Sequence, residues 1–354
     1  MVKSVRKGEE LNEVKLIKFL YENALVDDHK TEITVSQFAN GYSNLTYLIE
    51  SNSKSYVLRM PPLGATKRGH DMSREYKVLS QLSKEFSKIP QAYVYCDDKH
   101  ILGRPFYIME KIEGEIITFK RAKELDISAD SFSKISNSWL ETFVALHSTD
   151  YAACGLSDLG KPNGYVERQV SNWGKQYQKA QTQEVPEAIK VMKWMVANQP
   201  KMYDHCLIHN DFKYDNVVFT DTSWNSINAV LDWEMCTLGD PLMDLGTSIA
   251  YWSMPSDPPP LLEGLPSPTM LPGNPSRTEI AELYAQLSGR KIDNLVFYYV
   301  YGLFKIAVIV QQIYYRYEKG LTTNEKFKHL DKSSQFLCIM ALQAIQKNRI
   351  EELF

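Results

Sequence analysis

Eight consecutive residues, His209-Asn210-Asp211-Phe212-Lys213-Tyr214-Asp215-Asn216, followed downstream by Leu231-Asp232-Trp233-Glu234, carry the clearest chemical pattern in the chain. Moving a γ-phosphoryl group to a hydroxyl needs a carboxylate that orients the hydroxyl and accepts its proton. It also needs oxygen ligands for the magnesium that neutralises charge on the phosphates. Asp211 fits the first need; Asn216, five residues on, and Asp232, twenty-one residues on, fit the second. A single Asp with an Asn five positions later could equally cap a turn or a helix. The histidine two positions before Asp211 and the strand-borne Asp about twenty after it favour chemistry over capping. The pattern predicts an ATP-dependent phosphoryl-transfer centre with Asp211 as its base.

The elements that must position these residues are legible around them. Cys206 to Ile208 reads as a strand before the loop, Asn216 to Phe219 as one after it, and Ile227 to Leu231 as one leading into Asp232. Turn-rich residues from Thr220 to Asn225 suggest a hairpin, which would bring Asn216 and Asp232 to one end of two paired strands. Far upstream, Glu32 to Phe38, Leu45 to Glu50 and Ser55 to Met60 form a small sheet, with turn signals at Asn40-Gly41 and Asn52-Ser53. Gly69 to Phe86 has helical periodicity, placing Met72, Tyr76, Leu79, Leu82 and Phe86 on one face, and Glu75 lies on that face too. A carboxylate among core side chains is costly unless paired, and the strand carrying Arg59 offers the partner. Arg104 to Lys111 reads as a further strand broken by Glu113-Gly114, and Phe132 to His147 as a helix.

Length and composition fit this organisation. A chain of 354 residues suggests roughly two domain-sized units. With 40 basic against 43 acidic residues and no concentrated basic stripe, neither a nucleic acid nor an anionic membrane is an expected partner. Five cysteines, odd in number, far apart and without a Cys-x-x-Cys pair, read as reduced thiols. The amino terminus has positive charge but no apolar segment behind it, so no secretory signal is read and a cytoplasmic location is expected. Leu295 to Tyr315 is apolar enough to raise a membrane question, but Lys305 interrupts it and Gln311 and Gln312 follow, favouring a buried helix. Pro255 to Pro275 holds eight of the sixteen prolines and is expected to form no regular helix or sheet. It reads either as a long loop beside a substrate cleft or as a surface excursion.

The His209 to Asn216 motif resembles the aminoglycoside phosphotransferase family of the protein-kinase-like superfamily. Leu231 to Gly246 is especially similar to the branch that includes kinase-like domains fused to acyl-CoA dehydrogenases. Further matches are Ser43-Asn44-Leu45-Thr46-Tyr47, Tyr56-Val57-Leu58-Arg59, Arg168-Gln169 with Trp173, and Pro275-Ser276-Arg277 leading to Tyr284 and Ser288-Gly289-Arg290. The resemblance covers nearly the whole chain. It implies an α+β, two-lobed protein-kinase-like fold: a nucleotide-binding lobe with a small antiparallel sheet over residues 1–111, and a larger, mainly helical catalytic and substrate-binding lobe over 112–354.

It also implies roles. ATP and Mg2+ are expected between the lobes, with Asn216 and Asp232 on the metal and Arg59 on the phosphates, where protein kinases usually have Lys. Glu75 would orient Arg59. Ser43, Asn44 and Thr46 would donate to phosphate oxygens, although this segment holds only one glycine and also reads as an ordinary hairpin turn. Glu110 and Ile112 would meet the adenine edge through backbone, His209 would brace the loop, and Asp244 would anchor it while opening a helix. His147 reads as structural. Two departures stand out: Asn210 where the family often has Gly, and Lys213 where it often has Arg. Lys213 would face either the transferred phosphate or solvent. The acceptor is expected to be a small hydroxylated molecule, with a hydroxyacyl-CoA preferred over an aminoglycoside, and Arg168, Lys175 and Arg277 are candidate contacts for an anionic substrate. A nucleotide-binding regulator without turnover is the alternative. The absence of Asp-Phe-Gly and Ala-Pro-Glu signals argues against a protein kinase.

Overall fold

Alternation of side chains along Leu45–Ser51 (β3) and Ser55–Met60 (β4) builds the centre of a six-stranded antiparallel sheet. The other strands are Val2–Lys3 (β1), Ile33–Phe38 (β2), Ala92–Cys96 (β5) and Phe106–Glu110 (β6), and the order is β1-β2-β3-β4-β6-β5. The computed structural model describes residues 2–28, 30–38, 44–51, 54–64, 70–322 and 324–354. The chain divides into two units. The first comprises Met1–Glu113 with Asp150–Leu156 and Asn228–Cys236; the second comprises Gly114–Thr149, Ser157–Ile227 and Thr237–Phe354.

In the first unit, the period of two along β4 sends Tyr56, Leu58 and Met60 to one face. There they join Leu16, Phe19 and Leu20 of helix α1 (Glu13–Glu22) in a core completed by Tyr47, Ile49, Phe106 and Ile108. Val57 and Arg59 point to the opposite face, toward helix α2 (Met72–Leu82), which packs on β5, β6 and the turn at Trp233–Met235. Asp71 caps α2 by accepting from the N–H groups of Ser73 and Arg74 at 3.1 and 3.3 Å. The helix is therefore shorter at both ends than its apolar period alone suggested. A short helix α3 (Lys99–Leu102) joins β5 to β6. The predicted turns at Asn40-Gly41 and Asn52-Ser53 lie outside the described residues.

The second unit is mainly helical. Its helices are α4 (Phe119–Glu124), α5 (Ala129–His147), α6 (Tyr165–Ala180), α7 (Pro186–Ala197), α8 (Pro241–Ala250), α9 (Pro259–Gly264), α10 (Arg277–Ser288), α11 (Leu295–Glu318) and α12 (Leu330–Lys347). Two short strands, Cys206–Ile208 (β7) and Thr237–Gly239, pair antiparallel, and Val217–Phe219 (β8) follows the motif loop; Ile227–Val230 (β9), which belongs to the first unit from Asn228 on, leads toward Asp232. The turn after β8 is closed by the Thr220 N–H on the Ser226 carbonyl at 3.0 Å. Thr237–Gly239 is labelled β10.

Helix α11 is the axis of this unit. It is the one helix among the described residues long and apolar enough to cross a membrane by length and composition, and 78% of its most apolar window is buried against other helices. Its crossing with α8 is glycine to glycine: a Cβ on Gly302 would fall 2.3 Å from the Gly246 carbonyl oxygen, and one on Gly246 would fall 2.2 Å from that of Tyr298. That approach lets α11 run close beneath the motif loop.

The proline-rich segment departs from expectation. It contains α9 and a 3-10 turn at Pro268–Met270. Proline is excluded from a helix interior but not from its first turn, where no intrahelical N–H bond is made, and both elements begin with proline.

Candidate active site

The loop between β7 and β8 is held from below by a single buried carboxylate. Asp244, in α8, accepts the His209 N–H at 2.6 Å on Oδ2 and the Asn210 N–H at 2.7 Å on Oδ1. His147, at the end of α5, bonds the same Oδ2 through Nε2 at 3.2 Å and meets the Tyr284 hydroxyl through Nδ1 at 2.7 Å. Burial alone would favour a neutral Asp244, yet its bond to His147 and the positive potential of His147, His209 and Lys305 hold its carboxyl below the usual carboxylate range. Burial keeps the His147 imidazole below its ordinary value despite that carboxylate. Asp244 does not cap its own helix: Asp240 does, accepting from the Leu242 N–H at 2.8 Å. The resemblance placed Asp244 at a helix opening, and the structure gives the cap to Asp240 and the loop contacts to Asp244.

Phe212 locks the loop apolarly, stacked on Phe143 at 4.5 Å and set against Trp139 at 5.1 Å. Fixed this way, the loop presents Asp211. Its N–H donates to His209 Nδ1 at 3.2 Å, so that nitrogen is unprotonated and His209 serves as a brace. Its carboxylate accepts from Asn216 Nδ2 at 2.7 Å and pairs with Lys213 Nζ at 3.1 Å. Burial opposes ionisation of Asp211, but Lys213, His209 and Lys305 outweigh it, and the carboxyl stays below its ordinary value. Asp211 is thus ionised at neutral pH and able to accept a hydrogen bond from a hydroxyl. Lys213 is turned to Asp211 with its Nζ 4.8 Å from the centre of the Tyr251 ring, an arrangement that distinguishes it from a purely solvated charge. The family-type Gly position is Asn210, which adopts φ 70°, the left-handed conformation that Asn tolerates better than most residues.

In the first unit Arg59 is the centre of a cluster of carboxylates. One nitrogen, Nη1, pairs with Glu75 Oε1 at 2.8 Å; the other, Nη2, meets Asp232 Oδ1 at 3.1 Å and Glu234 Oε2 at 3.6 Å. Burial works against the guanidinium, but Glu75, Tyr107, Asp232 and Glu234 together raise its pKa well above the ordinary value. Glu234 in turn accepts from Asn44 Nδ2 at 2.8 Å, and Asn44 Oδ1 meets His70 Nδ1 at 2.9 Å. Thr46 stands opposite Arg59 in the β3–β4 register. Asp232 has φ 64°, and its side chain is 36% exposed, the most open of Arg59's three carboxylates.

Two side chains, one in each unit, offer an oxygen of the kind magnesium takes. Asn216 commits its Nδ2 to the Asp211 carbonyl and carboxylate, leaving Oδ1 without a protein donor among the described residues. Asp232 likewise has one oxygen on Arg59 and the other without a protein donor among them. Among the described residues no three His, Cys, Asp or Glu side chains are grouped to cage a metal. Magnesium in phosphoryl-transfer sites characteristically takes only one or two protein oxygens and fills its shell from phosphate and water.

The remaining sequence candidates separate. Glu110 spends its N–H on the Gln91 carbonyl at 2.8 Å, and Ile112 lies half-buried in irregular chain just past β6. Ser43 lies outside the described residues. Arg277 is not available to an anionic substrate: it is buried, forks onto the Asp257 carboxylate and donates Nε to the Trp252 carbonyl at 2.8 Å. Arg168 donates to the carbonyls of Asn163 and Lys161, and Lys175 is exposed. Sequence reasoning assigned no site role to Glu234, Tyr251 or Lys305. Glu234 was within reach, standing two residues after Asp232; the others meet the loop from distant helices and leave no trace in local spacing.

The model of the phosphotransferase enzyme family, APH, matches residues 34–267, well over half of the chain. Acyl-CoA dehydrogenase family member 11 of Rattus norvegicus is 35% identical over 302 residues, covering 84% of this chain but 38% of that protein, so the chain spans about two fifths of that relative's length. A solved aminoglycoside phosphotransferase-like protein from Ralstonia eutropha is 28% identical, with a TM-score of 0.79 over 96% of this chain and 99% of that one. Aminoglycoside phosphotransferase APH(4)-Ia, solved in a ternary complex with ADP and hygromycin B, shares the fold at 16% identity, with a TM-score of 0.58 over 93% of this chain and 98% of that one. The kinase-like fold expected from the sequence is present, with its antiparallel sheet and its helical unit.

Proposed function

The chain belongs to the APH phosphotransferase enzyme family, and on that premise we propose that it is an ATP- and Mg2+-dependent small-molecule kinase acting on a substrate hydroxyl. The observation that carries the reading is the ionised Asp211 carboxylate, fixed by Asn216 at 2.7 Å and Lys213 at 3.1 Å on a loop whose N–H groups are pinned to Asp244. Such a carboxylate orients an acceptor hydroxyl. As the acceptor oxygen bonds to the γ-phosphorus, the bond from that phosphorus to the β,γ-bridging oxygen breaks, the hydroxyl proton passes to Asp211, and ADP leaves. Lys213 stands where it would also steady negative charge on the group in transfer. Bound magnesium would supply charge neutralisation on the phosphates, held by the Asn216 amide oxygen and the Asp232 carboxylate. Arg59, oriented by Glu75, would contact the phosphates, with Ser43, the Asn44 backbone and Thr46 as further donors, since the Asn44 amide is spent on Glu234 and His70; the backbone at Glu110 and Ile112 would meet the adenine edge.

For the acceptor, a hydroxyacyl-CoA is the preferred reading, supported by the similarity to a protein of the acyl-CoA dehydrogenase family. An aminoglycoside is the second reading, favoured by the structural neighbours. The test is γ-phosphoryl transfer from ATP to a panel of both compound classes. Transfer to hydroxyacyl-CoAs is expected, and Asp211→Ala should lower turnover by roughly 10² to 10⁴ while ATP binding is largely kept. Equal turnover in mutant and wild type would overturn the role of Asp211. Transfer to aminoglycosides alone would replace the acceptor, and ATP binding without transfer to any compound would mark a nucleotide-binding regulator.

A further inference from the structure

Lys305 lies midway along α11 and is only 1% exposed. An ammonium buried to that depth persists only where partners replace its lost hydration. Its Nζ donates to the Asn210 carbonyl oxygen at 2.6 Å and to Asn210 Oδ1 at 3.2 Å. The hydroxyl of Tyr165, from α6, donates to the same Oδ1 at 3.3 Å. Asn210 is therefore gripped from both ends, its N–H by Asp244 and its carbonyl by Lys305. That carbonyl belongs to the peptide whose N–H is the one Asp211 donates to His209. Rotating this peptide would swing the Asp211 side chain away from Asn216.

Resting on the kinase reading, we infer that Lys305 is a positioning residue for phosphoryl transfer, whose ammonium fixes the Asn210–Asp211 peptide and so aims the Asp211 carboxylate. The pairing accounts for the departure at position 210. A glycine there would adopt the left-handed conformation without cost, whereas a residue with a side chain is strained in it and needs an anchor. Asn brings an extra acceptor, and Lys305 and Tyr165 occupy it.

The anchor depends on charge, because a charge-assisted hydrogen bond is roughly twice as strong as a neutral one. Burial pulls the Lys305 ammonium down to about 8 against the support of Asp244 on α8 and Asp211 on the loop, and Lys213 pushes the same way as burial. The other polar groups nearby are Tyr165 and, on α11 itself, Tyr301, whose hydroxyls burial holds well above the ordinary phenol value. Trp173 of α6 places its ring 6.0 Å from Nζ, and α12 contributes Ser334, which donates to the Ala307 carbonyl at 2.9 Å. Lys305 is thus the group of this cluster that changes charge in mildly alkaline solution, and the loop should loosen as it does.

The test compares the wild-type protein with Lys305→Met and Lys305→Arg. Two readouts are taken: amide hydrogen exchange over residues 206–216, corrected for intrinsic pH dependence, and kcat and KM for ATP against pH. Lys305→Met should lower kcat about tenfold or more with KM for ATP changed less than about threefold, the signature of an interaction that matters after nucleotide binding. Its loop should exchange faster even at neutral pH. Wild-type kcat should fall severalfold with a midpoint near 8, the value set for Lys305 by its surroundings. That limb should vanish in Lys305→Met and move upward in Lys305→Arg, whose charge persists. Wild-type kcat and wild-type loop exchange in Lys305→Met would overturn the inference. If Lys305→Met fails to fold, an alkaline limb in Lys305→Arg identical to wild type overturns it alone. Faster loop exchange in a protein that phosphorylates no acceptor would sink the kinase reading and leave the Lys305 grip standing; robust transfer indifferent to Lys305 would do the reverse.

Discussion

Replacing Asp244 by Asn changes almost no volume, so its effect isolates the anchor beneath the catalytic loop. The carboxylate accepts from two consecutive backbone N–H groups, at 2.6 and 2.7 Å, and from His147 at 3.2 Å. An amide offers one oxygen where two were used. If it faces His209, the Asn210 N–H meets an NH2 group; if it faces Asn210, the His209 N–H does. Either way one buried backbone donor is stranded, at about 1 to 3 kcal/mol, and the surviving bond loses its charge assistance, about 1 kcal/mol more. The expected destabilisation is roughly 2 to 4 kcal/mol. Urea unfolding followed by tryptophan fluorescence measures it directly.

The pH dependence of that difference sharpens the test. Asp244 has its pKa lowered in the folded state. Its contribution is therefore fully present above the unfolded carboxylate value, about 3.9, and is lost as pH falls through the lower folded value. The gap between wild type and Asp244→Asn should stay constant from pH 7 to 5 and close below about pH 4. Asp240 titrates in the opposite sense, its carboxyl pushed up to about 6 by burial, but it is common to both proteins and cancels in the difference. A destabilisation under about 1 kcal/mol at pH 7 would refute the account, because it would mean that neither stranded donor nor lost charge is felt.

Arg59→Gln should weaken ATP binding by about tenfold or more, as loss of a hydrogen bond to a charged group costs roughly 1.5 to 3 kcal/mol; isothermal titration reads this, and unchanged affinity would remove Arg59 from the phosphates. Arg277→Met leaves Asp257 buried without its guanidinium and should destabilise the protein by about 3 to 5 kcal/mol while ATP affinity and KM for the acceptor stay unchanged in the folded fraction. A raised acceptor KM at wild-type stability would restore Arg277 as a substrate contact.

How much of this was readable in advance follows the range of each interaction. The strands around Arg59 declare themselves by alternation, and α2 by its apolar period, because each side chain there answers to neighbours two to four positions away. The Glu75–Arg59 pair was inferable for the same reason: a carboxylate on an apolar helix face demands a partner, and the structure supplies it at 2.8 Å. The helix within the proline-rich segment is hidden from composition, because proline content carries no position and first-turn prolines are compatible with a helix. Lys305 read only as an interruption of an apolar run. Its partner is ninety-five residues away, brought near by the Gly246–Gly302 crossing of α8 and α11, and no local period encodes that.

The same contrast explains why arginine rather than lysine suits position 59. Its two terminal nitrogens serve different carboxylates, Nη1 on Glu75 and Nη2 on Asp232 and Glu234. A lysine ammonium is a single point of charge on a flexible stem and could hold one of these in place, not both ends of the fork. With three carboxylates against one guanidinium, this part of the first unit is negative by itself and would repel a bare triphosphate. In the reading proposed above, a divalent cation arriving with the nucleotide would offset that charge, and Asp232, the most open of the three carboxylates, is where that cation would be met.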